Sequence, residues 1–99
     1  MRDVAVDPKD LDEVRRILAA HVLGIRAVIF GSRATGRARR LSDLDVMLLL
    51  DAPIPIRAMA ALREALMESD VPIRVDVVDA TAVVEAFRVA ALRDARVIL

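Results

Sequence analysis

The sequence predicts an α/β (α+β) fold, a small mixed β-sheet covered by helices, in a single domain over residues 1–99. Helix-like and strand-like segments alternate along the chain, and no linker, repeat or low-complexity stretch interrupts them. Only about a dozen residues, most of them polar, separate the first two strand-like runs, and this connection is too short for a crossover helix. We therefore expect these two strands to be antiparallel neighbours.

The amino-terminal half is predicted to form one helix and two strands. In "DPKDLDEVRRILAAHVLG", Asp7 is a candidate N-cap, Pro8 suits the first helical position and Gly24 ends the helix. One apolar stripe runs along this helix: Leu11, Val14, Ile17, Leu18 and Val22. The strands are "IRAVIFG", which is rich in β-branched residues, and "DLDVMLLL", which becomes continuously apolar like a strand covered on both faces.

The carboxyl-terminal half is predicted to form two helices and two more strands. Pro53 and Pro55 break the chain before "PIRAMAALREALMES", whose apolar residues recur at helical intervals. "PIRVDVVD" alternates as a third strand does, and "RVIL" is a candidate short final strand. Between them we expect a helix capped by Thr81 that turns three residues inward: Val84, Phe87 and Ala91.

Composition excludes several classes of function. Basic and acidic residues balance at 15 each, which argues against general nucleic-acid or membrane binding through bulk charge. With no cysteine and one histidine, disulfides, thiolate zinc sites and a Ser-His-Asp relay are not expected. Carboxylates remain the candidate metal ligands. Hydrophobic residues make up 57 % of this small chain, which favours an apolar surface that binds a partner.

The start of the chain, "MRDVAVDPKD", contains no apolar segment typical of a secretion leader. The apolar run "VMLLL" is far shorter than the ~20 residues of a membrane span. We therefore expect a cytoplasmic protein with no membrane partner.

The stretch "FGSRATGRARRLSDLDVMLLL" carries the chemistry. Side chains alternate along a strand, so Asp43 and Asp45 are expected on one face with α-carbons about 6 to 7 Å apart. Their oxygens can converge on a pair of Mg²⁺ ions, which lie about 3.5 to 4 Å apart in two-metal sites. Hard cations favour anionic oxygen ligands, and they would cancel the repulsion between the two carboxylates.

The Gly31-Ser32 pair is suited to the phosphates of a nucleotide. Gly31 has no Cβ to obstruct a phosphate, and Ser32 can donate its hydroxyl and cap a short helical turn. We expect Arg33 to add positive charge over the phosphates, with Arg37 or Arg40 as further candidates.

A third carboxylate is expected where a hydroxyl nucleophile is deprotonated, and Asp76 in the third strand is the candidate. Asp79, at the end of that strand, fits ordinary turn or cap chemistry better. Simpler alternatives remain for each feature. Gly31-Ser32 alone is a common turn, Asp43 and Asp45 could be a cap and an exposed strand residue, and Asp76 could pair with an arginine of a neighbouring strand.

Gly31-Ser32, ten residues, and then Asp43-Leu44-Asp45 resemble the Gly-Ser-x10-Asp-x-Asp signature of the minimal nucleotidyltransferases, the smallest members of the DNA polymerase β superfamily. "VDVVD" followed by a helix and a terminal apolar strand is similar to the family's ending. The resemblance extends over roughly residues 25 to 99. Thr35 departs from the pattern, because many relatives carry a second arginine there.

The resemblance implies a polymerase β-like nucleotidyltransferase fold, with two Mg²⁺ ions held by Asp43, Asp45 and Asp76, and the triphosphate of ATP held through Gly31 and Ser32. Arg33 is the third predicted nucleotide-binding residue, because of its charge. Such proteins are usually antitoxins whose partner is a HEPN-domain ribonuclease toxin, and many transfer AMP to a tyrosine hydroxyl of that toxin. Two hypotheses follow: an adenylyltransferase, or a weakly active or inert subunit that neutralises its toxin by forming a complex.

Overall fold

Helices and strands alternate in the predicted order in the computed structural model, which describes residues 6–99. Residues 1–5, which belong to the segment expected to form no secretion leader, lie outside the described part. The helices are α1 (Pro8–His21), α2 (Ser32–Thr35), α3 (Ile56–Met67) and α4 (Glu85–Arg93). The strands are β1 (Arg26–Phe30), β2 (Leu44–Leu49), β3 (Val75–Asp79) and β4 (Arg96–Val97).

The four strands form one mixed sheet in the order β3-β2-β1-β4. Strand β1 is antiparallel to both β2 and β4, and β2 is parallel to β3, so the predicted pairing of the first two strands is confirmed. With these directions, the carboxyl end of β1 meets the amino ends of the other three strands. Residues that follow β1 and residues that begin β2 and β3 therefore share one end of the sheet.

Helices α1 and α3 cover one face of the sheet. Asp7 caps α1 by accepting a hydrogen bond from the Lys9 amide at 2.9 Å, as the sequence predicted. The apolar stripe of α1 and that of α3 pack with side chains of β1 and β2 into the main core. Burying each of these aliphatic side chains contributes about 1.5 to 3 kcal/mol, so this face supplies most of the stability.

Helix α4 covers the opposite face only thinly. No side chain of α4 is fully buried, and the smaller cluster beneath it contains Val28, Met47 and Ala80. The Phe87 ring meets the Phe30 ring edge to face, with centroids 5.8 Å apart. Phe87 nevertheless remains 43 % exposed.

The predicted start of α4 was wrong. Thr81 lies in a 3-10 turn (Ala80–Ala82), and the helix begins four residues later at Glu85. The Asp79 carboxylate accepts hydrogen bonds from the Thr81 amide and hydroxyl, so Thr81 is committed to the end of β3 and caps no helix. Val84 was expected to face inward but is 73 % exposed, because it precedes the first turn of the helix.

Helix α1 ends slightly earlier than the sequence indicated. Its last residue is His21 and Val22 is its C-cap, whereas Gly24 lies beyond the helix with a φ of 69°.

Several large apolar side chains stay on the surface of the described chain, each more than half exposed: Leu23, Leu41, Ile56, Met67, Val84, Val89 and Val97. Within residues 6–99, no helix combines the length and the apolar character that crossing a bilayer requires.

Candidate functional site

Three residues form a row across neighbouring strands at the shared end of the sheet. Phe30 of β1 is the register partner of Asp45 of β2, and Asp45 is the register partner of Asp76 of β3. Residues aligned in this way point to the same face. Because Leu44 and Val46 enter the main core, the row lies on the opposite face, the one that α4 covers. Asp45 is therefore flanked by an aromatic ring and a second carboxylate.

Asp43 completes the acidic group. It lies one residue before β2 and is exposed, as is Asp76, whereas Asp45 is half-buried. Burial raises the pKa of Asp45, and the negative charges of Asp76 and then Asp43 raise it further. The two neighbours act on Asp45 through their charges, so the sheet brings all three predicted aspartates to one place.

No arginine neutralises these carboxylates in the part of the chain that the structure describes. Its ion pairs join Arg15 to Asp12 and Arg16 to Glu13, both within α1. The alternative in which Asp76 pairs with an arginine of a neighbouring strand is therefore not seen. Repulsion among the three aspartates is left for another positive charge to relieve.

The donor set fits a hard divalent cation, although the side chains are not gathered around one point. Among residues 6–99, no three His, Cys, Asp or Glu side chains stand close enough together to hold a metal ion as oriented here. All three candidates are carboxylates, the ligand type that Mg²⁺ favours. Two of them are exposed at the end of the sheet and can rotate, so Asp43, Asp45 and Asp76 could hold a metal after side-chain movement.

Gly31 lies directly against this group. Its φ of 75° and ψ of −153° belong to a region that is essentially restricted to glycine. A Cβ on Gly31 would stand 2.6 Å from the Oδ2 of Asp45, closer than any real contact. The sequence suggested that glycine serves the approach of a phosphate; the structure adds that glycine is required by the carboxylate behind it.

A short helix follows Gly31, but the cap is not the predicted one. Gly31 itself is the N-cap of α2, and its carbonyl accepts from the Ala34 and Thr35 amides at 3.1 and 3.2 Å. The Ser32 hydroxyl makes no capping hydrogen bond and occupies the first helical position, half-buried. Its hydroxyl is thus not committed to capping the helix.

Arg33 differs from the expectation most. We expected its charge over the phosphates, but the residue is only 7 % exposed. Its Nε and Nη2 donate to the Ser42 carbonyl at 3.0 and 2.8 Å, and Nη2 also donates to the carbonyls of Arg39 and Arg40. Arg33 therefore fastens the segment that leads into Asp43. Arg37 and Arg40, the other candidates, have exposed side chains.

Asp79 has the structural role that the sequence favoured. Besides Thr81, its carboxylate accepts from the Ile54 amide at 2.9 Å and so ties the loop before α3 to the end of β3. Burial alone would raise the pKa of Asp79, but the hydrogen bonds from Ile54 and Thr81 outweigh it and lower the pKa. Asp76 and Asp79 are thereby separated into a site candidate and a cap.

Phe30 is the site residue that sequence reasoning missed. Phe30 follows a run of core residues, and its sequence context indicates another core residue. In the sheet, however, its register partner is Asp45. The available signal was compositional, since the chain has only two aromatic residues, and the structure brings both together beside the acidic row. The Phe30 side chain lies on the same face of the sheet as that of Asp45, so an apolar residue borders the half-buried carboxylate.

The fold and the carboxylates around Gly31 together define a protein of the nucleotidyl-transferring class. Residues 12–99 match the family model described as Polymerase beta, Nucleotidyltransferase, and the chain belongs to that family. The resemblance inferred from the Gly-Ser and Asp-Leu-Asp motif is thus confirmed at the level of the family and of the fold.

Individual relatives agree with this family assignment. The chain is 37 % identical over 83 residues to the probable protein adenylyltransferase MntA of Haemophilus influenzae. The alignment covers 84 % of this chain and 73 % of that relative. A solved minimal nucleotidyltransferase aligns with a TM-score of 0.68 and 29 % identity over 88 % of this chain and 87 % of the other. A toxin–antitoxin structure with AMP-PNP aligns with a TM-score of 0.76 over 90 % and 72 %; at 19 % identity, this likeness concerns the fold alone.

Proposed function

We propose that the protein is a Mg²⁺-dependent adenylyltransferase that moves AMP from ATP to a hydroxyl of a partner protein. The acceptor in this proposal is a tyrosine of a HEPN-domain ribonuclease toxin, and the modification makes the chain the antitoxin of the pair. Asp43, Asp45 and Asp76 are the catalytic and metal-binding residues, and Gly31 and Ser32 receive the phosphates.

One observation carries this proposal: Asp45 lies between Asp76 on the next strand and the backbone of Gly31, with Asp43 near enough to raise its pKa. In the described chain these carboxylates lie close together and none is paired with an arginine. Their mutual repulsion costs folding free energy unless cations bind to them. Phosphate oxygens and divalent cations attract each other, so the glycine beside the group is where a triphosphate would be expected.

The reaction joins the acceptor oxygen to the α-phosphorus of ATP and breaks the bond from that phosphorus to the bridging oxygen, releasing pyrophosphate. Bound at Asp43, Asp45 and Asp76, Mg²⁺ would supply charge neutralisation for the phosphates and a lower pKa for the attacking hydroxyl. Asp76, the most outlying of the three, accepts the proton of that hydroxyl. Gly31 leaves room for the phosphates, and Phe30 limits water around Asp45.

The role of Arg33 in the proposal differs from the sequence-based expectation. Its guanidinium is committed to the carbonyls of residues 39, 40 and 42, so it acts by holding the loop before Asp43 and not by lying over the phosphates. Arg37 and Arg40 remain the exposed candidates for a phosphate contact.

The toxin partner is supported by the relatives and by the surface. A relative with 37 % identity is a probable protein adenylyltransferase, and a structure of the same fold is a toxin–antitoxin complex. The exposed Val84 and Val89 and the part-exposed Phe87 give α4 an apolar outer surface that suits a protein partner.

The second candidate is an inert subunit that neutralises the toxin by forming a complex. One observation favours this candidate. In the described chain, Asp43, Asp45 and Asp76 are not gathered around one point, so the metal site is not preorganised. In this case the apolar surface would matter and the aspartates would not.

One assay separates the two candidates. The purified chain is incubated with a HEPN toxin, Mg²⁺ and ATP labelled in the α-phosphate, beside the Asp43→Asn/Asp45→Asn variant, which keeps the side-chain volumes. Label on the toxin that the variant cannot produce supports the enzyme. Absence of label, with toxin ribonuclease activity suppressed equally by both forms, overturns the enzyme and favours the complex.

A further inference from the structure

An open groove of about 690 Å³ runs along the outer side of β3, between this strand and the end of α3. We call it the β3 groove. It is lined by residues of α3, the connecting loop and the strand, among them Arg63, Met67, Val71, Ile73, Arg74 and Asp76. Asp76 thus belongs both to the acidic row and to the lining of the groove, so a chain lying in the groove is next to the strand residue that carries a candidate catalytic carboxylate.

The strand that forms this wall is unpaired along its outer side, since β3 is an outer strand of the described sheet. The Arg74 carbonyl faces β2, where it accepts from the Leu44 amide at 2.8 Å. Peptide groups alternate in direction along a strand, so those of Val75 and Val77 face the groove. Arg63 already donates to the Val77 carbonyl at 3.0 Å, which leaves the peptide groups of Val75 as the open positions.

The walls of the groove combine apolar surface with positive charge. Met67 is 83 % exposed, and Val71 and Ile73 are part-exposed beside it. Arg63 and Arg74 contribute two positive charges, and Asp76 is the one acidic residue among those that line the groove in the described chain. An extended segment with apolar and acidic side chains matches this surface in charge as well as in polarity.

The order of the elements across the sheet says which reactant belongs there. Gly31 follows β1, Asp45 lies on β2 and Asp76 on β3, with the groove beyond. In nucleotidyl transfer the attacking and leaving oxygens stand roughly in line on opposite sides of phosphorus. An axis that runs across the strands from Gly31 would release pyrophosphate on the β1 side and admit the hydroxyl from the β3 side.

We propose that the β3 groove binds the segment of the partner protein that carries the acceptor hydroxyl, as an extended strand that pairs with Val75 and directs the hydroxyl to Asp76. This inference rests on the proposed function and adds to it the location and character of the acceptor: an extended peptide with acidic and apolar residues. Arg63, by covering the Val77 carbonyl, limits the added strand to the part of β3 nearest the site.

The test uses the full chain with the partner toxin and α-labelled ATP. Met67→Glu and Arg74→Glu change the groove, and Ile56→Glu and Arg57→Glu are matched controls, because those exposed residues lie on α3 outside the groove lining. We expect each groove variant to raise the KM for the partner by about tenfold or more, which corresponds to about 1.4 kcal/mol. The KM for ATP should stay unchanged, and the controls should match the wild type.

The outcomes separate this inference from the proposed function. If wild-type protein labels the partner and the groove variants do so with an unchanged KM, the groove is not the acceptor site, although the transfer stands. If the wild type transfers no label, the transfer and the acceptor groove both fall.

A photo-crosslinking residue introduced at Met67 supplies a second readout. A crosslink to the partner peptide that carries the label supports the inference. A crosslink to a second copy of this chain, or to a partner segment remote from the label, overturns it.

Discussion

The Oδ2 of Asp45 lies 2.6 Å from the position that a Cβ on Gly31 would occupy. The carboxylate of one strand therefore packs against the bare backbone that follows its neighbour, and any side chain at position 31 would displace it. This contact joins the phosphate half of the candidate site to the metal half. It also explains why a glycine and an aspartate that are 14 residues apart in the sequence act as one unit.

Gly31→Ala should disrupt the site by two routes, backbone strain and displacement of Asp45. We expect a loss of stability of about 1 to 3 kcal/mol and the loss of nucleotide transfer. Gly24→Ala is the matched control, since Gly24 also has a positive φ but its Cβ would meet nothing within 4 Å. It should unfold earlier through backbone strain yet transfer normally, as thermal melts and the labelling assay would show. If Gly31→Ala and Gly24→Ala transfer nucleotide equally well, the contact between Gly31 and Asp45 is not required for activity.

Asp45→Asn should stabilise the metal-free protein while removing its activity. Burial and the charges of Asp76 and Asp43 raise the pKa of Asp45 above its ordinary value of 3.8, so the ionised form opposes folding. The penalty is absent below that ordinary value and grows as pH rises through the folded-state pKa, so it acts where the carboxylate is ionised in the folded protein. A thermal melt at pH 7 without divalent ions should show a higher Tm for the variant than for the wild type.

Added Mg²⁺ supplies the complementary check on Asp45. A ligand that binds only the folded state raises stability, by about 2.7 kcal/mol at a concentration of 100 times Kd. Mg²⁺ should raise the Tm of the wild type and raise that of Asp45→Asn only a little. The difference between the two Tm values should therefore shrink or change sign. A wild-type Tm that does not respond to Mg²⁺ would contradict the metal site.

Arg33→Met should loosen the loop before Asp43 because it removes hydrogen bonds to three carbonyls from a buried guanidinium. We expect a loss on the order of 2 to 4 kcal/mol and faster amide exchange over residues 37–43. Arg33→Lys should rescue little, since an ammonium cannot donate in the geometry of the fork. Arg37→Met, at an exposed position, should change stability by less than about 0.5 kcal/mol. Unaltered exchange in Arg33→Met would show that the loop does not depend on this residue.

Asp79→Ala tests whether the cap is separate from the site. The variant loses the acceptor for the Ile54 and Thr81 amides, which should lower stability by about 1 to 2 kcal/mol and leave transfer intact in the folded fraction. Because the pKa of Asp79 is lowered, its contribution is present above its ordinary value of 3.8 and is lost as pH falls through the folded-state pKa. The stability difference from wild type should therefore shrink in acid. If the Asp79→Ala variant is fully folded but transfers no nucleotide, Asp79 takes part in the reaction and is not only a cap.

The sequence was sufficient for the sheet and for placing the acidic residues at one end of it, because both depend on local patterns. The continuous apolar run after Asp45 predicts a doubly covered strand, and the short polar connection predicts its antiparallel pairing with β1. The cap role of Asp79 was predictable as well, since a carboxylate at a strand end readily accepts from the following turn. The site role of Asp76 stays a prediction.

What could not be predicted depends on contacts between distant residues. An arginine in a polar loop is normally predicted to be a solvated charge. The neighbouring residues in the sequence do not indicate that the Arg33 guanidinium donates to carbonyls of its own loop. The inward face of α4 was misjudged at Val84 because this helix buries no residue fully, so its periodicity carries little information. The register of Phe30 with Asp45 is likewise a property of strand pairing and not of spacing.

The most direct test of the account is a crystal structure of the protein with Mn²⁺ and a non-hydrolysable ATP analogue, with the ions located by their anomalous scattering. We predict anomalous peaks in contact with the carboxylates of Asp43, Asp45 and Asp76, and phosphates against Gly31 and Ser32. Carboxylates that turn away from one another or bind arginine side chains, with the ions or the phosphates bound elsewhere, would contradict it.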